Sequence, residues 1–255
     1  MLKTNLHTDK SKVDSFLIHS MPFVPSVCRK DNFEIIRAWG DKTIKIKTTE
    51  TLNSYDLISL LQLLRDYIQN RKNYGAFQWG SDGDEKLQAF GFTIDLSDFA
   101  AQRGIENDIN NRKMIFKSIE RLWKMEIEIW KEKEPARLTR FIYDLKPNSD
   151  FTKANGFVNK LFYDFCLKSG LAINLDRLIS YGKNGYAIIL DTFIQSTEKR
   201  YKQYPEELLF QKLSMDDTSL TTKDKREILK NVFATVNKNY EYDKKHRCWK
   251  NSDSE

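Results

Sequence analysis

The chain has 255 residues and is 40% apolar, which suffices for one large domain or for two ordinary domains with separate cores. Its net charge of +6 permits a polyanionic partner without requiring one. The three cysteines (Cys28, Cys166 and Cys248) are too few and too far apart for a disulfide framework or a paired metal site. No apolar run has the length of a membrane span or signal peptide. We therefore expect a cytoplasmic protein without a membrane segment.

The first third of the chain predicts an arm, a hairpin and a helix. Residues 1–31 contain two prolines and no clear periodicity, which is typical of a flexible N-terminal arm. Two alternating runs, 33–39 and 43–48, flank Gly40-Asp41 and predict a β-hairpin. A helix follows the capping residues Thr51, Asn53 or Ser54, because apolar residues recur there at helical spacing: Leu57, Leu60, Leu61, Leu64 and Ile68.

The next segment predicts a winged helix over residues 32–147. A short helix capped by Ser97 runs from Asp98 to Arg103, and a basic helix spans 108–125. The basic helix points one apolar stripe inward, formed by Ile115, Ile119 and Leu122. Two strands, 126–130 and 137–145, then alternate in period two and predict the wing.

The second half repeats this order after a cluster of turn residues at 147–150, which predicts a domain boundary. The second winged-helix domain is expected over 148–250, with 251–255 as a tail. Its helices are a first one at 185–199, a short one opened by Pro205, and a third one at 221–237 capped by Thr221 or Thr222. Residues 240–249 fit either a shorter wing or a disordered tail. The sequence therefore predicts an α+β fold with two tandem winged-helix domains.

Basic residues concentrate on the third helix of each predicted domain and on the segment that follows the second one. From 223 to 250 there are nine Lys or Arg against four Asp or Glu, a net charge of +5. The second helix of a helix-turn-helix enters the major groove, where Lys and Arg neutralise phosphates. The candidate DNA-binding residues are therefore Lys223, Arg226, Lys230, Asn231, Lys238 and Arg247, with auxiliary contacts from Lys113, Lys117 and Lys124. Among them, Arg226 and Asn231 are the candidates for contacting base edges.

A lysine-rich outer face is also what an ordinary solvated helix shows, so a single basic helix favours a solvated surface over a DNA-binding one. Two such helices in a repeated order favour DNA binding. The aromatic residues near the predicted helices, Phe116, Trp123, Phe193 and Phe233, fall on core stripes and predict packing rather than base stacking.

Signatures of catalysis are missing from the sequence. Gly75 to Gly80 has the spacing of a phosphate-binding loop, but Ser81 stands where that motif requires lysine. The three histidines form no His-x-His pair, so the apparatus of a metal-dependent nickase is absent from the sequence. We expect a non-catalytic protein that uses no cofactor and no metal.

The order of these motifs resembles plasmid replication initiator (Rep) proteins with tandem winged helices, of the TrfA type, over roughly residues 33–240. The stretches that carry the resemblance are 44–68, AFGFTIDL (89–96), SIERLWKMEIEI (118–129), LDRL (175–178), YAIILDTF (186–193), YPEELL (204–209) and ILKNVF (228–233). The resemblance implies binding to repeats at a plasmid origin, recruitment of a host initiator and helicase, and exchange between homodimers and DNA-binding monomers. It also implies that the first domain serves assembly and that the second makes the main DNA contact.

Two other functions fit the same sequence. A winged-helix transcriptional regulator or partition adaptor would carry the same modules, because a fold does not determine a function. An interaction scaffold that binds no DNA would carry the same basic faces as solvated surfaces.

Overall fold

The computed structural model describes residues 10–13, 23–25, 31–39, 42–70, 76–79, 87–131, 137–159, 171–197, 201–216, 218–236 and 239–252. Within these ranges the helices are α1 (Ser54–Asn70), α2 (Leu96–Gln102), α3 (Ile109–Trp123), α4 (Leu175–Ser180), α5 (Gly185–Thr197), α6 (Glu206–Lys212) and α7 (Thr222–Thr235). The strands of the first half are β1 (Lys10–Val13), β2 (Phe23–Val24), β3 (Asp31–Trp39), β4 (Lys42–Glu50), β5 (Leu52–Asn53), β6 (Ala76–Trp79), β7 (Leu87–Asp95), β8 (Glu126–Lys131), β9 (Arg137–Arg140), β10 (Ile142–Pro147) and β11 (Lys153–Asn159). Those of the second half are β12 (Leu171–Asn174), β13 (Gln203–Pro205), β14 (Tyr240–Asp243) and β15 (Cys248–Asn251).

The first structural unit is a winged helix. Helix α1 is followed by β7, α2, α3 and the hairpin β10–β11, and the strands form an antiparallel sheet in the order β10-β11-β7-β6. Gly156 permits the close approach of β10 to β11, because a Cβ at this position would clash with the carbonyl oxygen of Asp144. The wing therefore extends the sheet that supports α2 and α3.

Local capping sets where the first two helices begin. The Asn53 side chain accepts hydrogen bonds from the backbone N–H groups of Tyr55 and Asp56, while Asp56 accepts one from the N–H of Asn53. Helix α2 begins at Leu96 because the Asp95 carboxylate accepts from the N–H groups of Ser97 and Asp98. The prediction of Ser97 as the cap was wrong, since the preceding carboxylate takes this role.

The hairpin predicted for the first wing is confirmed as a hairpin, but its role as the wing was wrong. Strands β8 and β9 pair with each other, and β8 also pairs with β4, so this hairpin belongs to a separate antiparallel sheet in the order β3-β4-β8-β9. The register places Ile46 opposite Ile127, and Lys47 forms an ion pair of 2.6 Å with Glu128. The predicted strand at 137–145 divides at Phe141 into β9 and β10, which belong to different sheets. The predicted hairpin at 33–48 is confirmed as β3–β4.

The second structural unit repeats the topology of the first. Helix α5 is followed by β13, α6, α7 and the hairpin β14–β15, with the sheet order β13-β15-β14. This order matches β7-β11-β10 of the first unit, so each third strand lies between its first and second strands. Of the two readings of residues 240–249, the wing is confirmed. The α+β fold with two tandem winged-helix units is confirmed as well.

Three predicted boundaries change. Residues 147–150, expected to separate the domains, form the turn between β10 and β11, where the N–H of Asn148 donates to the carbonyl oxygen of Lys153. Strand β11 returns to the first sheet, so the first unit extends at least to Asn159. In the N-terminal arm, expected to be flexible, β1 pairs with β12 and β2 pairs with β5. Asn251, expected in the tail, ends β15.

The two units pack on one continuous core. Buried residues of α1, α3, α5 and α7 belong to a single hydrophobic cluster, and α1 contacts both α4 and α5. The Arg65 guanidinium of α1 lies 2.7 Å from the Asp176 carboxylate of α4. No helix in the part of the chain that the structure describes is long and apolar enough to cross a membrane.

Helix α3 is anchored to α1 by a buried carboxylate. Asp56 is fully buried and accepts hydrogen bonds from the Ser118 hydroxyl (2.8 Å) and from the Arg121 guanidinium (2.6 and 3.0 Å). Such a pair offsets its desolvation only while both partners are present.

We expect Asp56→Ala to lower the free energy of unfolding by about 3–5 kcal/mol, because the change leaves the half-buried Arg121 charge without its partner. Urea denaturation monitored by circular dichroism measures this loss. Asp144→Ala is the control, since Asp144 pairs with Lys146 at the surface and its loss is expected to cost less than about 1 kcal/mol. Equal losses in the two variants would contradict the anchoring role of Asp56.

Candidate nucleic-acid interface

Helix α3 presents a lysine-bearing face because its opposite face is locked into the core. The Asp108 side chain caps it by accepting from the N–H groups of Asn110 (2.7 Å) and Asn111 (2.8 Å). The predicted apolar stripe is confirmed, since Ile115, Ile119 and Leu122 are fully buried. The rotation of the helix is therefore fixed, and with it the set of side chains that face outward.

The predicted lysines of α3 all lie on the exposed side of the helix. Lys117 forms no ion pair with any residue that the structure describes. The Lys113 ammonium lies 5.4 Å from the centre of the Phe151 ring in the turn of the first wing. Lys124, at the C-terminal end, is 3.4 Å from Glu120. Lys113 and Lys117 are thus the two α3 lysines without a carboxylate partner among the described residues.

The turn of the first wing is tied to α3. Phe151 has a φ of +56°, and its ring packs edge-on against Phe116 with 5.5 Å between the ring centres. Arg112 of α3 donates hydrogen bonds to the carbonyl oxygen of Asp150 at 3.2 and 3.4 Å. The wing turn and the third helix therefore form one connected surface, which the sequence-based prediction did not contain.

Helix α7 is the corresponding helix of the second unit. Thr221 and Asp224 form a reciprocal capping box, in which the Asp224 N–H donates to the Thr221 hydroxyl and the Thr221 N–H donates to the Asp224 carboxylate. Leu229, Val232 and Phe233 are buried and fix the rotation of the helix. The outward side contains the predicted residues Lys223, Lys230 and Asn231, all exposed.

One buried carboxylate collects the two arginines that had been expected on the DNA-binding surface. Glu206, the first residue of α6, is fully buried and accepts two hydrogen bonds from Arg226 of α7, at 2.7 and 2.9 Å. Arg247, in the turn of the second wing, donates to the same carboxylate at 2.6 Å, and the Tyr242 hydroxyl does so at 2.8 Å. We call these four residues the Glu206 cluster.

The Glu206 cluster joins α6, α7 and the second wing. The Arg226 guanidinium also lies over the Tyr242 ring, 5.0 Å from its centre. Arg247 has a second carboxylate neighbour in Glu207, at 3.3 Å. In this arrangement the two guanidinium groups fix α7 and the wing to each other, and DNA contacts by Arg226 and Arg247 stay a prediction.

Two further basic residues of the second unit, Lys225 and Lys238, do not lie on the described outward face of α7. Lys225 faces the interior side of α7, with its ammonium 3.4 Å from Asp216 and 5.2 Å from the centre of the Phe210 ring. Lys238 lies outside the described residues. The aromatic residues expected to pack are confirmed in that role: Phe193 and Phe233 are buried, and Phe116 and Trp123 pack against the core.

Hydrogen bonds from Arg226, and then from Tyr242 and Arg247, lower the pKa of Glu206 from its ordinary 4.5 to about 2, against the opposing effect of burial. A depressed carboxylate pKa stabilises the folded state at all pH values above about 4.5. This stabilisation is lost as the pH falls through the folded-state pKa near 2.

We therefore expect the free energy of unfolding to fall by about 3 kcal/mol between pH 5 and pH 2 from this group alone, since each pKa unit corresponds to about 1.4 kcal/mol. In Glu206→Gln this part of the pH dependence disappears, and the stability gap to the wild type narrows as the pH falls. Chemical denaturation over a pH series measures the gap. Glu207→Gln, an exposed neighbour on the same helix, is the control and is expected to keep the wild-type profile. Identical profiles for wild type and Glu206→Gln would contradict the assignment.

No protein-family model matches the chain, and no curated protein sequence matches it. Solved structures do. The fold is similar to a crystal structure of selenomethionine derivatives of domains 2 and 3 of RctB, with a TM-score of 0.57 at 13% identity over 86% of this chain and 83% of that one. A second crystal structure of RctB domains 2–3 gives a TM-score of 0.54 at 14% identity over 89% of this chain and 83% of that one. At this level of identity the likeness concerns the fold.

Proposed function

We propose that this protein is a replication initiator that binds double-stranded DNA in a sequence-specific manner through α3 and α7. The observation that carries the proposal is the pair of winged-helix units on one core, each with exposed lysines on its third helix. RctB, whose domains 2 and 3 share this fold, is a replication initiator. The resemblance of the sequence to plasmid Rep proteins points the same way.

The physical basis is the match between these helices and the major groove. The groove is wide enough for an α-helix, and each base pair presents its own pattern of donors, acceptors and methyl groups there. Exposed lysines supply phosphate contacts that release counterions, so the affinity depends on salt. Because both units share one core, two third helices can bind one duplex as a fixed pair.

The finer parts of the proposal come from the resemblance to Rep proteins. They are a plasmid origin with repeated sites as the DNA, a host initiator and helicase as partners, a homodimer as a second state, and a cytoplasmic location. Likeness to RctB supports an initiator kind of fold without selecting the TrfA type. The role is one of binding and assembly rather than catalysis.

We expect the purified chain to bind duplexes that carry repeats from a plasmid origin more tightly than a scrambled duplex, with an affinity that falls steeply with salt. Lys113→Ala Lys117→Ala and Lys223→Ala Lys230→Ala are each expected to lower the slope of log affinity against log salt by about 2, roughly one per lost phosphate contact. Fluorescence anisotropy over a salt series measures these slopes.

The control is Lys183→Ala Lys202→Ala, which removes two exposed lysines that lie on neither third helix. This variant is expected to bind like the wild type. Binding that is weak, equal on both duplexes and unchanged in all three variants would overturn the proposal and favour an interaction scaffold. Repeat-specific binding without opening of an adjacent AT-rich segment, as probed by single-strand-specific nuclease, would favour a regulator or partition adaptor.

A further inference from the structure

The outward faces of α3 and α7 differ in charge. On α7, the exposed Lys223 and Lys230 share their face with the exposed acids Asp224 and Glu227, so the four charges cancel. On α3, Lys113, Lys117 and Lys124 share the outward face with one acid, Glu120, which lies 3.4 Å from Lys124. The first unit therefore presents the third helix with the greater net positive charge, although the second unit has more basic residues in sequence.

The two arginines near α7 are already bound within the second unit. Arg226 and Arg247 would be the natural readers of guanine near α7, because a guanidinium makes bidentate contacts to that base. Both are bound to the buried Glu206 carboxylate instead. Apart from charged residues and threonines, Asn231 is the exposed polar residue that remains on the outward face of α7.

Apolar side chains are exposed on α3 next to its lysines. Ile109 and Met114 are 41% and 40% exposed, and they are two of the four large apolar residues that are exposed in the described part of the chain. At 100° per residue, they lie with Asn110, Lys113 and Lys117 within an arc of roughly 140°. The face is therefore basic and apolar at once, which is unusual for a merely solvated surface.

The amide of Asn110 adds a polar reader to this face. Asn110 is exposed, and its side chain has no hydrogen-bond partner among the described residues. Its neighbour Asn111 differs, because that amide donates to the carbonyl oxygen of Glu106 and to the Asp108 carboxylate. Only the first of these two asparagines is thus available to an external ligand.

A·T base pairs carry the groups that this face can contact. In the major groove thymine presents a methyl group to apolar side chains, and adenine presents N7 and N6 in a geometry that matches an asparagine amide. Residues at the start of the third helix are those that contact base edges in helix-turn-helix proteins. Lys113 and Lys117 complement the negative charge of the backbone.

We propose that α3 is the base-reading helix of this protein and that it selects A·T base pairs. Ile109 and Met114 pack against thymine methyl groups, Asn110 contacts an adenine edge, and the two lysines contact phosphates. This inference rests on the proposed function, and it assigns to the first unit the sequence selectivity that the resemblance to Rep proteins gives to the second.

The test begins with selection of bound duplexes from a random-sequence library by the full chain. The best duplex is then prepared with thymine or with deoxyuridine, which differs only in the missing methyl group, and both are titrated. We expect the wild type to lose about fourfold in affinity for each contacted methyl group that is removed. Ile109→Ala Met114→Ala is expected to bind the thymine duplex as weakly as the wild type binds the deoxyuridine duplex, and to show no further loss on deoxyuridine.

Ile36→Ala removes an equally exposed apolar side chain from β3 and is expected to keep the wild-type response to deoxyuridine. Circular dichroism and thermal melting confirm that the variants are folded.

Selection of no preferred sequence by the wild type would overturn the proposed function itself. Two outcomes would overturn this inference while leaving DNA binding intact. In the first, the wild type selects a preferred sequence but binds it equally well with thymine and with deoxyuridine. In the second, the sequence preference changes in Lys230→Ala Asn231→Ala and not in Ile109→Ala Met114→Ala. Loss of binding to a protein partner rather than to DNA in Ile109→Ala Met114→Ala would overturn it as well.

Discussion

The interaction on which the second unit depends is the buried Glu206 carboxylate and its three donors. A carboxylate without solvent is costly unless its oxygens are fully hydrogen-bonded, and here Arg226, Arg247 and Tyr242 occupy them. The donors come from α7, the wing turn and β14, whereas the acceptor opens α6. One group thus fixes the third helix and the wing relative to the second helix.

In the first unit a different buried carboxylate holds the third helix in place. Its third helix is held by Asp56, which lies near the start of α1 and binds Ser118 and Arg121 of α3. The donors to this carboxylate lie in the C-terminal half of α3, and the outward lysines Lys113 and Lys117 are left out of the network. The two units share a topology, but the position of the anchoring acid decides which cations remain free.

Patterns of short range predicted much of this architecture. The cap Thr221 and the buried stripe of α3 are local in sequence, and the structure places them as expected. Partner choice between strands was not predictable in this way. Period-two alternation at 126–130 indicates a strand, and its pairing with the following strand is confirmed, but nothing local shows that this hairpin pairs with β4 instead of forming the wing. For the same reason the turn at 147–150 was mistaken for a domain boundary.

The Glu206 cluster also could not be predicted from local sequence patterns. Glu206, Arg226 and Arg247 are about twenty residues apart from one to the next, and no periodicity relates them; Glu206 by itself fits an ordinary acidic residue in the first turn of a helix. Counting charges along the chain therefore overstates the positive charge of the second unit, since the Glu206 carboxylate offsets part of the charge of the two arginines that it binds. The basic residues of α3 are fewer, but Lys113 and Lys117 face solvent without an acid between them. What a polyanion meets is the charge that folding leaves exposed, and on that measure the first unit is the stronger candidate for reading DNA.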